Sequence, residues 1–301
     1  MDTLHDLRRK LSAAKDIKSV VRAMKAMAAS NIAQYTAAVG SLGDYYQTIS
    51  LAIGAYLVQE KIHGIYDVEK PQKKDESAIC AIVFGSDQGL VGQFNNLIAG
   101  FVTQSLQGMP GKKEVWVVGE RVQALLADSG LIAVKTFAAP SAIEAVTPLI
   151  GEILTEIQKV TEKSPNEVFY IFHNKPGAKS GYEQAIQRLL PLDDKWQNEF
   201  SQIQWPSKNI PQIVGETEAA LGAFISGYLF VSLFKACVES LSSENESRLE
   251  AMQRADKNIG DMLGSLGHKF QRLRQSSIDE ELLDVVSGFE ALNVKAKKVN
   301  R

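Results

Sequence analysis

Cysteine is almost missing from this chain: Cys80 and Cys237 are the two in 301 residues, and each lies among apolar neighbours. Two distant thiols in apolar runs predict buried core residues rather than a disulfide, a usage that suits a reducing compartment. Histidine is scarce too. His5, His63, His173 and His268 are scattered, with no cysteine, histidine or carboxylate at metal-ligand spacing, so no metal site is expected. An excess of charge is lacking. The net charge is -2 with 23% charged residues, which argues against a dedicated nucleic-acid binder. No glycine-x-serine-x-glycine elbow occurs, and the acidic pairs Asp193-Asp194 and Glu280-Glu281 read as solvated faces. The first residues hold acids and no apolar run, so no signal peptide is expected. The longest uncharged run, Ala219 to Phe234, is bounded by Glu218 and Lys235. It falls short of the ~20 residues that span a bilayer and predicts a helix buried on all sides by protein, with no membrane span.

The most informative absence is proline, missing from the first sixty residues and again from Gln212 to Val299. Steps of three and four from Leu4 give Leu7, Leu11, Ala14, Lys18, Val21, Lys25, Ala28, Ile32, Tyr35, Val39, Leu42, Tyr46, Ile49, Ile53 and Tyr56. Fourteen of the sixteen positions are apolar, Lys18 and Lys25 being the exceptions. A seam held over so many heptads is coiled-coil patterning. At ~1.5 Å per residue the helix would be roughly 80 Å long, more than a compact core can cover, so part of it must project. The C-terminal stretch repeats the pattern through Leu249, Met252, Ile259, Leu263, Leu266, Phe270 and Leu273, then Ile278, Leu282, Val285, Phe289 and Leu292.

Between these helices the period changes. β-rich runs at Ala78-Phe84, Glu114-Val118, Ala133-Phe137 and Val168-His173 alternate with helical patterns, and Tyr182-Leu190 offers a further strand or hairpin arm. The fold class expected is α/β: a Rossmann-like, mostly parallel sheet inserted between two long terminal helices that pair as an antiparallel coiled coil. The divisions expected are an N-terminal shaft helix at 1–60, an α/β foot at 75–206, a C-terminal shaft helix at 212–295 and a basic tail at 296–301.

One loop invites a chemical reading. Gly85-Ser86-Asp87-Gln88-Gly89-Leu90-Val91-Gly92 follows the first strand, where glycines can cradle phosphate. It is neither a dinucleotide fingerprint nor a P-loop, since no lysine follows the last glycine. A tight strand-to-helix turn is the expectation, and no cofactor. Along the first helix Arg8, Arg9, Lys10, Lys15, Lys18, Arg22 and Lys25 outnumber Asp2, Asp6 and Asp16. That is either a solvated basic face or a collar for acidic partner loops.

Three blocks carry a resemblance. Val20-Val21-Arg22-Ala23-Met24-Lys25-Ala26-Met27-Ala28-Ala29-Ser30 looks like I-T-K-A-M-x-M-V-A-A-S-K, and the loop with Gln93-Phe94-Asn95 looks like S-D-R-G-L-C-G-x-x-N. Glu239-Ser240-Leu241-Ser242-Ser243-Glu244-Asn245-Glu246-Ser247-Arg248-Leu249-Glu250-Ala251-Met252 is similar to E-x-x-A-S-E-x-x-A-R-M-x-A-M. Together with Arg272-Leu273-Arg274-Gln275-Ser276-Ser277-Ile278, these resemble the gamma-subunit family of F-type ATP synthases, end to end and in order. The chain departs from the family at Asn31 (lysine in the family), Gln88 (arginine), Val91 (cysteine) and Asp279 (threonine), which suits a divergent member of the alternate, sodium-translocating branch. The resemblance implies a non-catalytic rotor shaft that couples ion flow to ATP synthesis or hydrolysis. Its partners would be a ring of alpha- and beta-type nucleotide-binding subunits, an epsilon-type subunit and a membrane c-ring, at the cytoplasmic face of a bacterial membrane. Ring contacts would fall on Lys18, Arg22, Met24, Lys25, Arg274 and Gln275, and foot contacts on Asp87, Gln88 and Trp205, in a Gln204-Trp205-Pro206 exit segment. Two rival classes stay open: a coiled-coil scaffold or adaptor with an α/β head, and a nucleotide-using α/β enzyme.

Overall fold

A computed structural model of the chain describes residues 3–63, 78–177, 181–192, 194–203, 205–207, 209, 212 and 217–299. Helix α1 runs Leu4–His63 and helix α6 runs Thr217–Val299. Between them come β1 (Ile79–Phe84), α2 (Phe94–Gln107), β2 (Lys113–Val118), α3 (Glu120–Asp128), β3 (Ala133–Phe137), α4 (Val146–Lys163), β4 (Val168–Pro176), β5 (Tyr182–Leu190) and α5 (Asp194–Ser201). The chain forms two compact units: Met27–Leu249, and Met1–Ala26 with Glu250–Arg301.

In the larger unit the five strands lie in the order β3-β2-β1-β4-β5, parallel except for the antiparallel β4–β5 pair. Strand β1 reads as an unbroken apolar run because both faces of the sheet are covered. Its alternation sends Ile79, Ala81 and Val83 to one side, against Ile98 and Val102 of α2 and Val122 and Leu126 of α3. Cys80, Ile82 and Phe84 go to the other, a layer built from α4 (Ile150, Ile153, Ile157), α1 (Ile53, Tyr56) and α6 (Val231, Leu233, Val238). Each such side chain, fully buried, contributes roughly 1.5–3 kcal/mol. Both cysteines are buried and free, and burial pushes their thiols far up from the ordinary range.

The seam of α1 is visible as burial with a period of seven. Leu7, Ala14 and Val21 are buried in the smaller unit, and Ala28, Tyr35, Ile49 and Tyr56 in the larger. Antiparallel pairing follows within each unit. In the smaller one Arg22 reaches Asp256 at 3.7 Å, and Gly260 faces Lys18 so closely that a Cβ there would sit 3.4 Å from Nζ. In the larger unit Gly227 lies against Ile49, and Tyr46 packs on Tyr228 with ring centroids 6.4 Å apart.

One expectation is corrected. The uncharged Ala219–Phe234 run is not buried on all sides: Gly222, Ala223 and Ser226 are exposed, while Tyr228, Leu229 and Val231–Leu233 are covered. Its small residues let one side approach α1 closely and leave the other open. By length and composition α6 is long and apolar enough to cross a membrane, with an 18-residue window of mean hydropathy 1.7, of which 44% is buried.

Candidate functional site

In an open α/β sheet, ligands enter the crevice at the carboxyl ends of the strands where the strand order reverses. Here that point lies between β1 and β4, and the glycine-rich loop borders it. Gly85 is there because a Cβ would collide with Val122 at 2.5 Å or less. At Gly119, where φ is +109°, a Cβ would sit 2.7 Å from the Ser86 backbone nitrogen. The loop is tied down internally. The Ser86 amide donates to Asn95 Oδ1 (3.1 Å), and Asn95 Nδ2 donates to Ser86 Oγ (2.8 Å). Asp87 accepts from Glu120 N (2.9 Å) and Ala139 N (3.0 Å), so it caps α3 from a distant loop.

Helix α6 fills the crevice. Ser240 Oγ donates to the Phe84 carbonyl (3.4 Å), Ser243 Oγ to Asn174 O (3.3 Å), and Ser247 Oγ to Val91 O (2.5 Å). His173, buried at the end of β4, meets Glu239 of α6 at 2.9 Å between Nε2 and Oε2. Beyond them Arg248 donates to Glu244 (2.5 Å) and to Asn245 Oδ1 (3.4 Å), which also accepts from Asn31 at 3.3 Å. Burial pushes the Glu244 carboxyl above its ordinary range, against the opposing pull of Arg248. A lysine at position 31, as in the family pattern, would bring a second cation to Asn245; the neutral amide shares it instead. Among the described residues no group of three or more histidines, cysteines and carboxylates is placed to hold a metal.

The expected contact residues do not form one cluster. In the smaller unit Lys18, Met24 and Lys25 are half-buried, and Arg22 is exposed apart from its link to Asp256. Arg274 and Gln275 are exposed about eighteen residues further along α6, roughly 27 Å of helix rise from Asp256. In the larger unit Asp87 is occupied by the two amides it accepts, Gln88 is exposed, and Trp205 is exposed after α5. Gln204 lies outside the described residues. The His173–Glu239 pair was not legible, because its partners are 66 residues apart. The serine stripe did leave a signal: 240, 243 and 247 follow helical spacing on one face of α6.

The smaller unit has a second surface. The register of Arg22 with Asp256 brings α1's first turn level with about residue 274 of α6, so the next turns lie past the described residues of α1. From Ile278 to Gly288 every residue is exposed, including Ile278, Leu282 (62%), Leu283, Val285 (72%) and Val286. An apolar stripe of that length left in water is a surface made for a partner.

A mostly parallel sheet whose switch-point crevice is closed by α6, inserted in the chain between two very long helices that pair antiparallel within each unit, defines the class of α/β domains inserted into a helical hairpin. The family model described as ATP synthase matches residues 3–292, and the chain belongs to that family. Curated relatives named ATP synthase gamma chain include those of Syntrophus aciditrophicus (26% identical, covering 97% of this chain and 99% of the relative) and Arthrobacter sp. (28%, 95% and 97%). Among solved structures it is similar to the rotor of the Euglena gracilis mitochondrial ATP synthase, with TM-score 0.59, 16% identity and coverage of 91% of this chain and 98% of that one. A chain of the Tetrahymena thermophila central stalk and c-ring matches at TM-score 0.53 and 20% identity, covering 78% and 99%. Both share the fold.

Proposed function

We infer that this chain is the gamma-type central rotor shaft of a rotary ATP synthase, a non-catalytic subunit of its peripheral sector that couples ion flow through the membrane sector to ATP synthesis or hydrolysis. The observation that carries this is the exposed apolar stripe of α6 from Ile278 to Val286. In a free chain it has no partner, whereas a ring of alpha- and beta-type subunits offers an apolar sleeve around a rotating helix end. Residues 1–60 and 212–295 serve as the shaft, 75–206 as the foot toward an epsilon-type subunit and a c-ring, and 296–301 as a basic tail. Lys18, Arg22, Met24, Lys25, Arg274 and Gln275 are the ring contacts in this reading, with Arg274 supplying charge-assisted hydrogen bonds. Asp87, Gln88 and Trp205 belong to the foot, and the site of work is the cytoplasmic face of a bacterial membrane.

Rotation works here by differential contact: an asymmetric shaft stabilises a different conformation of each ring subunit it faces, so turning it changes which site is open. Co-expression with alpha- and beta-type ring subunits tests the reading. The chain is expected to co-purify at one copy per ring. A stable homodimer that ignores the ring would favour the scaffold alternative.

A further inference from the structure

The hydroxyl stripe of α6 goes beyond what sealing a crevice requires. Ser240, Ser243 and Ser247 are all buried, and each hydroxyl reaches a main-chain carbonyl of the sheet or of the loop after β1; Ser243 is shared with its own helix, at 2.8 Å from Glu239 O. Glu239, on the same side of the helix, takes the buried His173, with Lys235 at 3.9 Å from its other oxygen. Four pins on one helix thus engage three segments: the end of β1, the loop behind it, and the end of β4.

Alanine at 240, 243 and 247 would pack there without burying a polar side-chain atom. The family pattern does have alanine where Ser247 stands, and Ser247 makes the shortest of the four contacts. Apolar contact is non-directional and tolerates a helix that rotates or slides under load. Hydrogen bonds weaken steeply once misaligned, so several around one helix define both its rotation and its axial register. Helix α6 continues unbroken past Leu249, and these contacts add direction to the apolar layer of Val231, Leu233 and Val238 by which the sheet grips it.

We propose that the His173–Glu239 pair and the hydroxyls of Ser240, Ser243 and Ser247 form the torque joint of the rotor, positioning residues that lock α6 to the sheet so that rotation passes into the helix without slip. This rests on the rotor-shaft reading. The test uses the assembled complex in ion-tight vesicles, comparing the wild-type chain with S240A/S243A/S247A and, separately, H173Q. ATP hydrolysis and ion accumulation are both measured per assembled complex. Hydrolysis is expected to stay near wild type, while ions accumulated per ATP fall roughly threefold in the triple variant, the ratio reached once slip runs about twice as fast as coupled turning. A merely structural role would lower the amount of complex and leave ions per ATP unchanged, and that result overturns the joint. Should the triple variant fail to assemble, Ser247→Ala alone, which removes one hydroxyl, is measured the same way: a fall in ions per ATP supports the joint, and an unchanged ratio overturns it. A wild-type chain that neither joins the ring nor supports pumping would instead sink the rotor reading itself.

Discussion

Asp87 shows how little of a residue's work its sequence neighbourhood discloses. In the motif it stands beside glycines and suggests chemistry; in the structure its two oxygens satisfy the amides of Glu120 and Ala139, from two other segments. Asp87→Ala is therefore expected to cost about 1–3 kcal/mol, the range for losing a cap and leaving amides unpaired, read by urea denaturation of the free chain. Glu167 has the opposite character. Among the described residues its buried Oε1 has no hydrogen-bond partner, and burial first, then the nearby Glu114 charge, push its carboxyl above the ordinary range while Lys112 pulls it down. A carboxyl raised on folding contributes stability below its ordinary range and loses it as pH rises through the raised value. Glu167→Gln should hence stabilise the chain at pH 7 and leave it near wild type at pH 4. Denaturation at the two pH values checks this; equal effects at both would refute it.

At the scale of elements, local pattern and final position agree where one neighbour dominates. The seven-residue burial of α1 was readable because a long helix paired with another repeats the same contact. The central strand β1 was readable too, since a strand covered on both faces needs a run that is apolar throughout. The Ala219–Phe234 run misled for the same reason in reverse: uncharged composition does not say how many sides a neighbour covers, and small residues permit one close contact. The turn into α3 is a further case. Gly119 combines a positive φ with room for no Cβ, which would lie 2.7 Å from the Ser86 backbone, so Gly119→Ala meets both strain and a clash with main chain. A loss of about 1–3 kcal/mol is expected, read from the midpoint of thermal or urea unfolding.

For the whole molecule, the useful contrast is between residues that hold the chain together and residues that wait for a partner. Leu282 and Val285 are among the most exposed apolar side chains described. Replacing both with aspartate should leave the free chain's stability within about 0.5 kcal/mol, as for surface positions away from packing, yet prevent stable capture by the ring subunits. The two measurements, melting of the free chain and co-purification with the ring, separate a folding defect from an assembly defect. Capture unchanged from wild type would remove the stripe from the interface.

Heptad spacing, apolar strand runs and proline-free stretches were enough to order the two long helices and the strands, because they act over neighbouring residues whose geometry the backbone dictates; α5 left no such pattern. The sequence by itself also determined that the glycine-rich loop lacks the lysine of a P-loop. What that loop is for emerges in the folded chain: α6, about 150 residues further on, closes the crevice with Ser240, Ser243 and Ser247 and pairs Glu239 with His173. Such contacts depend on where the folded sheet presents its carbonyls and on which helix face reaches them. No local period encodes that, since a buried serine and a solvated one share the same spacing until the partner is in place.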